Sequence, residues 1–264
     1  MIEKKKVLVY NSFIGNIWEG IVMQGYFDIH SHILPGVDDG AKDMEETRRM
    51  LLIAYEEGIR FIIATPHYIP GKNNMATSRI REIYEEVNKI AEDASKEFRI
   101  LLGNEIFYSP HIFEALKNED ALTIDNTRYI LVEFSSNAAY QQIRDGLNNC
   151  IYAGYIPILA HAERYQCLLQ NNVLVFELIK LGIYIQINYY CIPRGILDSK
   201  ARFCYKLLKK EWVHFLGTDS HGADGRAPYA KAAVKTIKKR YGEDTVRKLL
   251  WDNPLTMLEN KHLM

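Results

Sequence analysis

Apolar residues come in short unbroken blocks along this chain. The blocks cover residues 26–29, 61–64, 99–103, 129–132, 156–160, 183–187 and 213–217. A block without apolar/polar alternation suits a strand buried on both faces. Between the blocks the spacing is helical, over 43–58, 77–98, 110–117, 140–154, 173–181, 200–210, 229–241 and 243–251, with a last turn after Pro254. Asp43 to Glu46 reads as a capping-box start. At Gly58, Gly154 and Gly182 a helix ends and a strand begins at once, as a glycine C′ residue allows.

Strand–helix alternation with apolar strands predicts a parallel sheet covered by helices. Seven such units in one chain predict a distorted (βα)7 TIM-like barrel, with an open doubly wound sheet as the alternative. In either architecture the active site gathers at the carboxyl ends of the strands. The sequence has no linker, repeat or low-complexity tract, so residues 23–264 read as one domain. Residues 1–22 read as an N-terminal extension. They contain Lys4-Lys5-Lys6 but no uninterrupted apolar core and no small-residue cleavage site, which argues against a secretory signal. Trp18-Glu19-Gly20 can be encoded with a ribosome-binding sequence shortly before Met23, so Met23 is the expected natural start.

The 264 residues are 48% hydrophobic and 25% charged, with zero formal net charge. A barrel of about 250 residues fits this length. Zero net charge disfavours a sequence-independent nucleic-acid binder. No apolar run approaches the ~20 residues of a membrane span, and a cytoplasmic protein is expected. Cys150, Cys167, Cys191 and Cys204 form no C-x-x-C and read as reduced thiols without a catalytic role.

The chemistry lies where the blocks end. Asp28-Ile29-His30-Ser31-His32 leaves the first strand and runs into Gly36-Val37-Asp38-Asp39-Gly40. Further along, His67, Glu105, Glu133, His161, Asp219 and His221 stand at similar places. Taken singly each has a bland reading: a hydrogen-bonded loop histidine, a surface acid, an N-cap. Six of the seven expected strands end in such residues, and that joint placement outweighs the single readings. The sixth strand presents Asn188 instead, which reads as a pocket wall. His111 reads as a helix start, His214 as strand packing and His262 as tail.

Imidazoles and carboxylates without thiolate suit manganese, iron or zinc. His30, His32, Asp39, His67, Glu105, Glu133, His161, Asp219 and His221 exceed one ion's needs and fit two or three bridged ions, an arrangement suited to phosphoryl transfer. Asp38 competes with Asp39 for the same role. Arg164 and Arg226 follow the ligand residues closely, and a guanidinium fork matches phosphate oxygens. There is no Walker-type phosphate loop.

The series D-I-H-S-H-I-L-P-G-V-D-D-G (28–40), A-T-P-H (64–67), G-N-E-I (103–106), L-V-E-F (131–134), A-H-A-E-R (160–164) and G-T-D-S-H (217–221) closely resembles the PHP-type bacterial protein-tyrosine phosphatases. These are manganese-dependent enzymes of capsule and exopolysaccharide operons in Gram-positive bacteria. The resemblance spans about residues 25–260 and implies a distorted barrel, a trinuclear site and hydrolysis of phosphotyrosine on the tail of a partner bacterial tyrosine kinase. It implies metal-ligand roles for the nine residues above, and phosphate-holding roles for Arg164 and Arg226. Members often carry Pro where Ala162 stands, and the N-terminal extension is a second departure. Water activated on the metal would attack phosphorus in line, without a phosphoenzyme. The rival readings are a PHP phosphoesterase acting on a small molecule such as histidinol phosphate, a PHP nuclease, and a non-catalytic regulatory module of the export complex.

Overall fold

The computed structural model describes residues 25–263. The expectations for residues 1–22 lie outside the described residues. The parallel strands form two sheets that meet as one curled wall. The first holds β1 (Tyr26–Ser31), β2 (Ile59–Ala64) and β4 (Arg99–Leu102). The second holds β3 (His67–Tyr68), β5 (Glu105–Phe107), β6 (Tyr129–Glu133), β7 (Ile156–Leu159), β8 (Tyr184–Asn188) and β9 (Phe215–Gly217) in that order. Each pairing is parallel.

The sequence predicts seven strands, whereas the described residues form nine segments. Two of the expected strands are each cut in two. Ala64 pairs with Leu102 across β2–β4, and His67 pairs with Glu105 across β3–β5, so the register runs on through the break. Pro66 has no N–H for the ladder and stands inside one interruption. The Glu105 N–H splits between the carbonyls of Thr65 and Pro66 at 3.3 and 3.2 Å. Asn104 fastens the other interruption: its amide donates to the Pro66 carbonyl, and its oxygen accepts from Leu122 N. His67 and Glu105 therefore open short strands and do not close long ones.

The wall turns back on itself at β1 and β9. Ser31 and Ser220 form a parallel bridge, with His32 N donating to Ser220 O and Asp219 N to His30 O. The fully buried Asp28 carboxylate accepts from the Thr218 N–H and hydroxyl. Gly217 permits this approach, because a Cβ there would lie 2.5 Å from His30 Cβ. The expected distorted barrel is thus the observed architecture, and the open doubly wound alternative is not.

Helices cover the wall: α1 (Met44–Glu56), α2 (Thr77–Ala94), α3 (Ile112–Lys117), α4 (Tyr140–Tyr152), α5 (Gln166–Gln170), α6 (Val173–Lys180), α7 (Ser199–Lys209), α8 (Lys231–Tyr241), α9 (Glu243–Arg247) and α10 (Asn253–Leu258). Asp43 caps α1 by accepting from Glu46 N, as the sequence predicts. α2 stops at Ala94, short of the expected Phe98, where Ser95 turns to extended backbone. The helix expected over 243–251 instead passes into a π-turn at Lys248–Asp252. Pro254 cannot donate to a carbonyl one turn back, which favours such a bulge. Trp251 from this segment packs edge-on against the stacked Phe27 and Phe61 near the amino ends of β1 and β2. The aromatic packing thus fills one end of the wall and leaves the carboxyl ends to polar residues. All four cysteines are free thiols.

Candidate metal centre

Glu105 is the middle of the site. Its Oε2 lies 3.1 Å from His30 Nε2, 3.2 Å from His32 Nε2 and 3.1 Å from His67 Nδ1. Its Oε1 lies 2.7 Å from His161 Nε2. Four imidazoles brought from β1, β3 and the end of β7 thus surround one buried carboxylate. Asp219 Oδ1 stands 3.6 and 3.7 Å from the Nε2 atoms of His30 and His32. Glu133 Oε1 reaches His67 Nδ1 at 3.3 Å. Asp39 closes the outer edge, 3.4 Å from His67 Nε2 and 3.5 Å from His221 Nε2.

Three groups in this constellation have ligand atoms close enough to share an ion: His30, His32, Glu105 and Asp219; His67, Glu105 and Glu133; and His32, Asp39, His67 and His221. All nine candidate residues of the sequence converge here, His161 by its contact with Glu105. Asp39 is 71% exposed and faces the histidines, while Asp38 turns inward to His32 Nδ1 at 2.7 Å. The turn tells the two acids apart: Asp38 also accepts from Gly40 N and His67 N, which leaves Asp39 at the open edge.

The imidazoles are oriented by partners on their other nitrogens. His30 Nδ1 meets Gln186 Oε1 at 3.3 Å, His32 Nδ1 meets Asp38, and His221 Nδ1 meets the Asp219 carbonyl at 3.0 Å. With those Nδ1 protons held, each Nε2 lone pair points into the cluster, as metal-ligating histidines require. Two of the acidic or imidazole donors come from strained backbone. His161 (φ 33°) and Asp219 (φ 53°) lie in the left-handed region that costs a side-chain-bearing residue energy.

Charge follows from crowding. Burial pushes the His32 imidazole down, but its hydrogen bonds to Asp38 and Glu105 outweigh this and hold it up at about 10. Burial likewise opposes ionisation of Asp219, yet His30 and the nearby Arg164 hold it down at about 2. His221 goes the other way, lowered to about 4 by burial and by its neighbours His32 and Arg226. The site thus concentrates ionised carboxylates whose charge is offset by protons on the imidazoles and, at Asp219, by two arginines. Divalent cations in place of those protons would satisfy the same acids. His161 Nδ1 is buried without a hydrogen-bond partner, while Asp219 Oδ1 and His67 Nδ1 are buried with charged neighbours but no well-directed hydrogen bond, and these last two belong to the proposed ligand groups. Mixed imidazole and carboxylate donors, with two ligand atoms free of directed hydrogen bonds, fit a metal.

Arg164 and Arg226 both pair with Asp219 from the solvent side, Arg226 Nη2 at 2.6 Å from Oδ1. The Tyr190 side chain lies beside Arg164 and interacts with it electrostatically, while the Arg194 guanidinium sits 4.9 Å over the Tyr190 ring. Tyr190 is therefore part of the rim, whereas Tyr189 is core, its hydroxyl donating to Phe27 O. Asn188 is more than a pocket wall: its amide donates to Asp219 Oδ2 at 2.9 Å. Gln186 went unread in the sequence. It accepts from His161 N at 2.6 Å and donates to Asn188 Oδ1, linking β7, β8 and Asp219. A polar residue two positions before Asn188 inside an apolar block was the available signal, since the two share one strand face. His111, His214 and His262 stay outside, as expected. His111 precedes α3, His214 accepts from Ile185 N and His262 lies near Tyr184.

A family described as capsular polysaccharide synthesis, CpsB/CapC, matches residues 26–259. The chain belongs to the CpsB/CapC family. Among its relatives, the tyrosine-protein phosphatase CpsB of Streptococcus pneumoniae is 37% identical over 232 residues, covering 86% of this chain and 96% of the relative. The tyrosine-protein phosphatase YwqE of Bacillus subtilis is 30% identical over 235 residues, covering 89% and 92%. In solved structures of YwqE and CpsB, described as metal-dependent tyrosine phosphatases, a chain superposes with a TM-score of 0.82 at 29% identity, covering 90% of this chain and 96% of that one. A histidinol phosphate phosphatase of Lactococcus lactis shares the fold at a TM-score of 0.56 and 18% identity. Among the described residues, no helix is long and apolar enough to cross a membrane.

Proposed function

We propose that this chain is a metal-dependent protein-tyrosine phosphatase that hydrolyses phosphotyrosine on a bacterial tyrosine kinase regulating capsular or exopolysaccharide synthesis. The observation that carries the reading is the cluster around Glu105 with two arginines at its mouth, in a chain of the CpsB/CapC family. His30, His32, Asp39, His67, Glu105, Glu133, His161, Asp219 and His221 would hold two or three ions, with manganese the favoured metal and iron or zinc suited to the same donors. Such ions supply an activated water at neutral pH and stabilise charge on the phosphoryl oxygens.

The rest of the chemistry belongs to the chain. Arg164 and Arg226 donate to the nonbridging oxygens of the phosphate and offset their charge. Tyr190 flanks the Arg164 guanidinium, and the Asn188 amide shares Asp219 Oδ2 with Arg164. Asp38, Gln186 and the Asp219 carbonyl keep protons on the Nδ1 atoms of His32, His30 and His221. The leaving phenol has a pKa near ~10, so it departs with less acid assistance than a serine alkoxide. No side chain forms a phosphoenzyme. On this reading the protein acts in the cytoplasm.

The test is phosphate release by metal-stripped protein reloaded with manganese. Phosphotyrosyl peptide, phosphoseryl peptide and histidinol phosphate are compared at equal concentration. A strong preference for the phosphotyrosyl peptide, lost on chelation, supports the proposal. A preference for histidinol phosphate would overturn it. No turnover with metal bound would favour a regulatory role in the export complex.

A further inference from the structure

The outer ligand group draws on two separate loops. Asp39 comes from the turn at 36–41 after β1, and His221 from the loop after β9 that also carries Arg226. One carboxylate that belongs to none of the three ligand groups joins these loops. Glu46 sits in the first turn of α1. Its Oε2 accepts from Lys42 N at 2.9 Å, the residue that leaves the Asp39 turn. Its Oε1 accepts from Ala223 N at 3.3 Å, two residues beyond His221. In an ordinary capping box such a glutamate folds back to its own N-cap backbone. Here it reaches one residue earlier and, with its second oxygen, across to the far end of the chain.

The neighbouring geometry is fitted to this bridge. Gly222 leaves room for the carboxylate, since a Cβ there would lie 2.8 Å from Glu46 Oε1. One helical turn on, Arg49 pairs with Asp224 of the same loop. His221 N donates to Arg226 O at 2.9 Å and closes the loop between them. The first two turns of α1 therefore grip the segment that presents both His221 and Arg226, and the same helix start fixes the end of the Asp39 turn.

We infer that Glu46 is a positioning residue: it sets the separation of Asp39 from His221 and Arg226, and thereby the affinity of the outermost ion and of the substrate phosphate. The inference rests on the metallophosphatase reading above. A glutamine at this place has one acceptor oxygen where two N–H groups need one each, and its NH2 meets the remaining N–H without a partner. The geometry of one loop is then lost while size and helix propensity are kept. Partners that orient ligands from behind typically contribute 10–100-fold in metal affinity.

The experiment compares full-length wild type, E46Q, E45Q and G222A. Manganese bound per chain is measured after equilibrium dialysis across a range of free manganese, and KM and kcat are measured on p-nitrophenyl phosphate. E46Q is expected to lose its weakest-held ion at about tenfold higher free manganese and to show a raised KM, with the tighter ions retained. E45Q removes an acidic charge from the same helix turn without touching either loop, and is expected to bind as wild type. G222A keeps Glu46 but pushes its carboxylate from Ala223 N. It is expected to reproduce E46Q, and the double variant is expected to be no worse than either single one. Unchanged manganese binding in both E46Q and G222A, or an equal loss in E45Q, overturns the inference. Wild type that binds no manganese at all overturns the metallophosphatase reading itself.

Discussion

Asp38 Oδ2 lies 2.7 Å from His32 Nδ1, and the same carboxylate takes backbone N–H groups from Gly40 and His67. Burial opposes its ionisation, but His32 and these N–H groups hold it at about 2. Its neighbour Asp39 makes no such bonds and faces His67 and His221. Two adjacent acids thus have different jobs. Asp38→Asn should weaken manganese binding about 10–100-fold, the range for a lost orienting partner, with the ions still recoverable at high manganese. Asp39→Asn should remove a ligand and lower the number of ions bound. Metal titration of the two variants side by side distinguishes these outcomes.

Glu105 touches four imidazoles and belongs to two of the three groups able to share an ion. Glu105→Gln keeps the shape and removes the charge. Activity on a phosphotyrosyl peptide should fall by more than about 100-fold, beyond the loss of an orienting partner. Elemental analysis of the dialysed variant should show depleted metal. Full metal content with normal turnover would remove Glu105 from the centre of the site.

Arg164→Lys and Arg226→Lys keep a positive charge but lose the planar fork. Each should lower kcat/KM by about 100-fold, as removal of one transition-state donor does, while metal content stays unchanged. Tyr190→Phe removes only the hydroxyl beside Arg164. Its KM should rise by no more than about threefold, because a polar contact weaker than a full hydrogen bond contributes less than ~1 kcal/mol. Steady-state kinetics on one phosphotyrosyl peptide tests all three.

Much of the site was legible because candidate ligand residues recur after the apolar blocks, and apolar blocks reveal strands. What stayed hidden has physical causes. His67 and Glu105 looked like strand ends because Pro66 and Gly103-Asn104 interrupt the ladder, yet the pairing resumes in the same register. Asp38 and Asp39 are the same residue type side by side, and only the hydrogen bonds of the turn tell them apart. Gln186 carries no charge and sits inside an apolar block, so it reads as sheet. The left-handed backbone at His161 and Asp219 has no glycine or asparagine to announce it.

His214 offers a pH test away from the site. Its imidazole is lowered to about 4 by burial and by the nearby Lys248, and Nδ1 accepts from Ile185 N. The unfolded chain takes up this proton near pH 6.5 and the folded chain only near 4. The stability supplied by the neutral ring is therefore complete above pH 6.5 and is lost as pH falls toward 4. The loss approaches ~3 kcal/mol at one pKa unit per ~1.4 kcal/mol. Denaturant melts of metal-free wild type and His214→Gln, taken from pH 7.5 to 4, should show a flatter acid limb in the variant. Parallel limbs would contradict the assignment.

The pairing of β1 with the end of β9 has a consequence for how the protein is made. His30 and His32 leave the ribosome early, whereas Asp219, His221 and Arg226 emerge only after nearly the whole chain. The Asp28–Thr218 and Ser31–Ser220 contacts then bring first and last strands together. A nascent or prematurely terminated chain ending before β9 carries most of the imidazoles but lacks the acid on which both arginines converge. Only a chain that has made β9 and the loop after it can bring the candidate ligand set together.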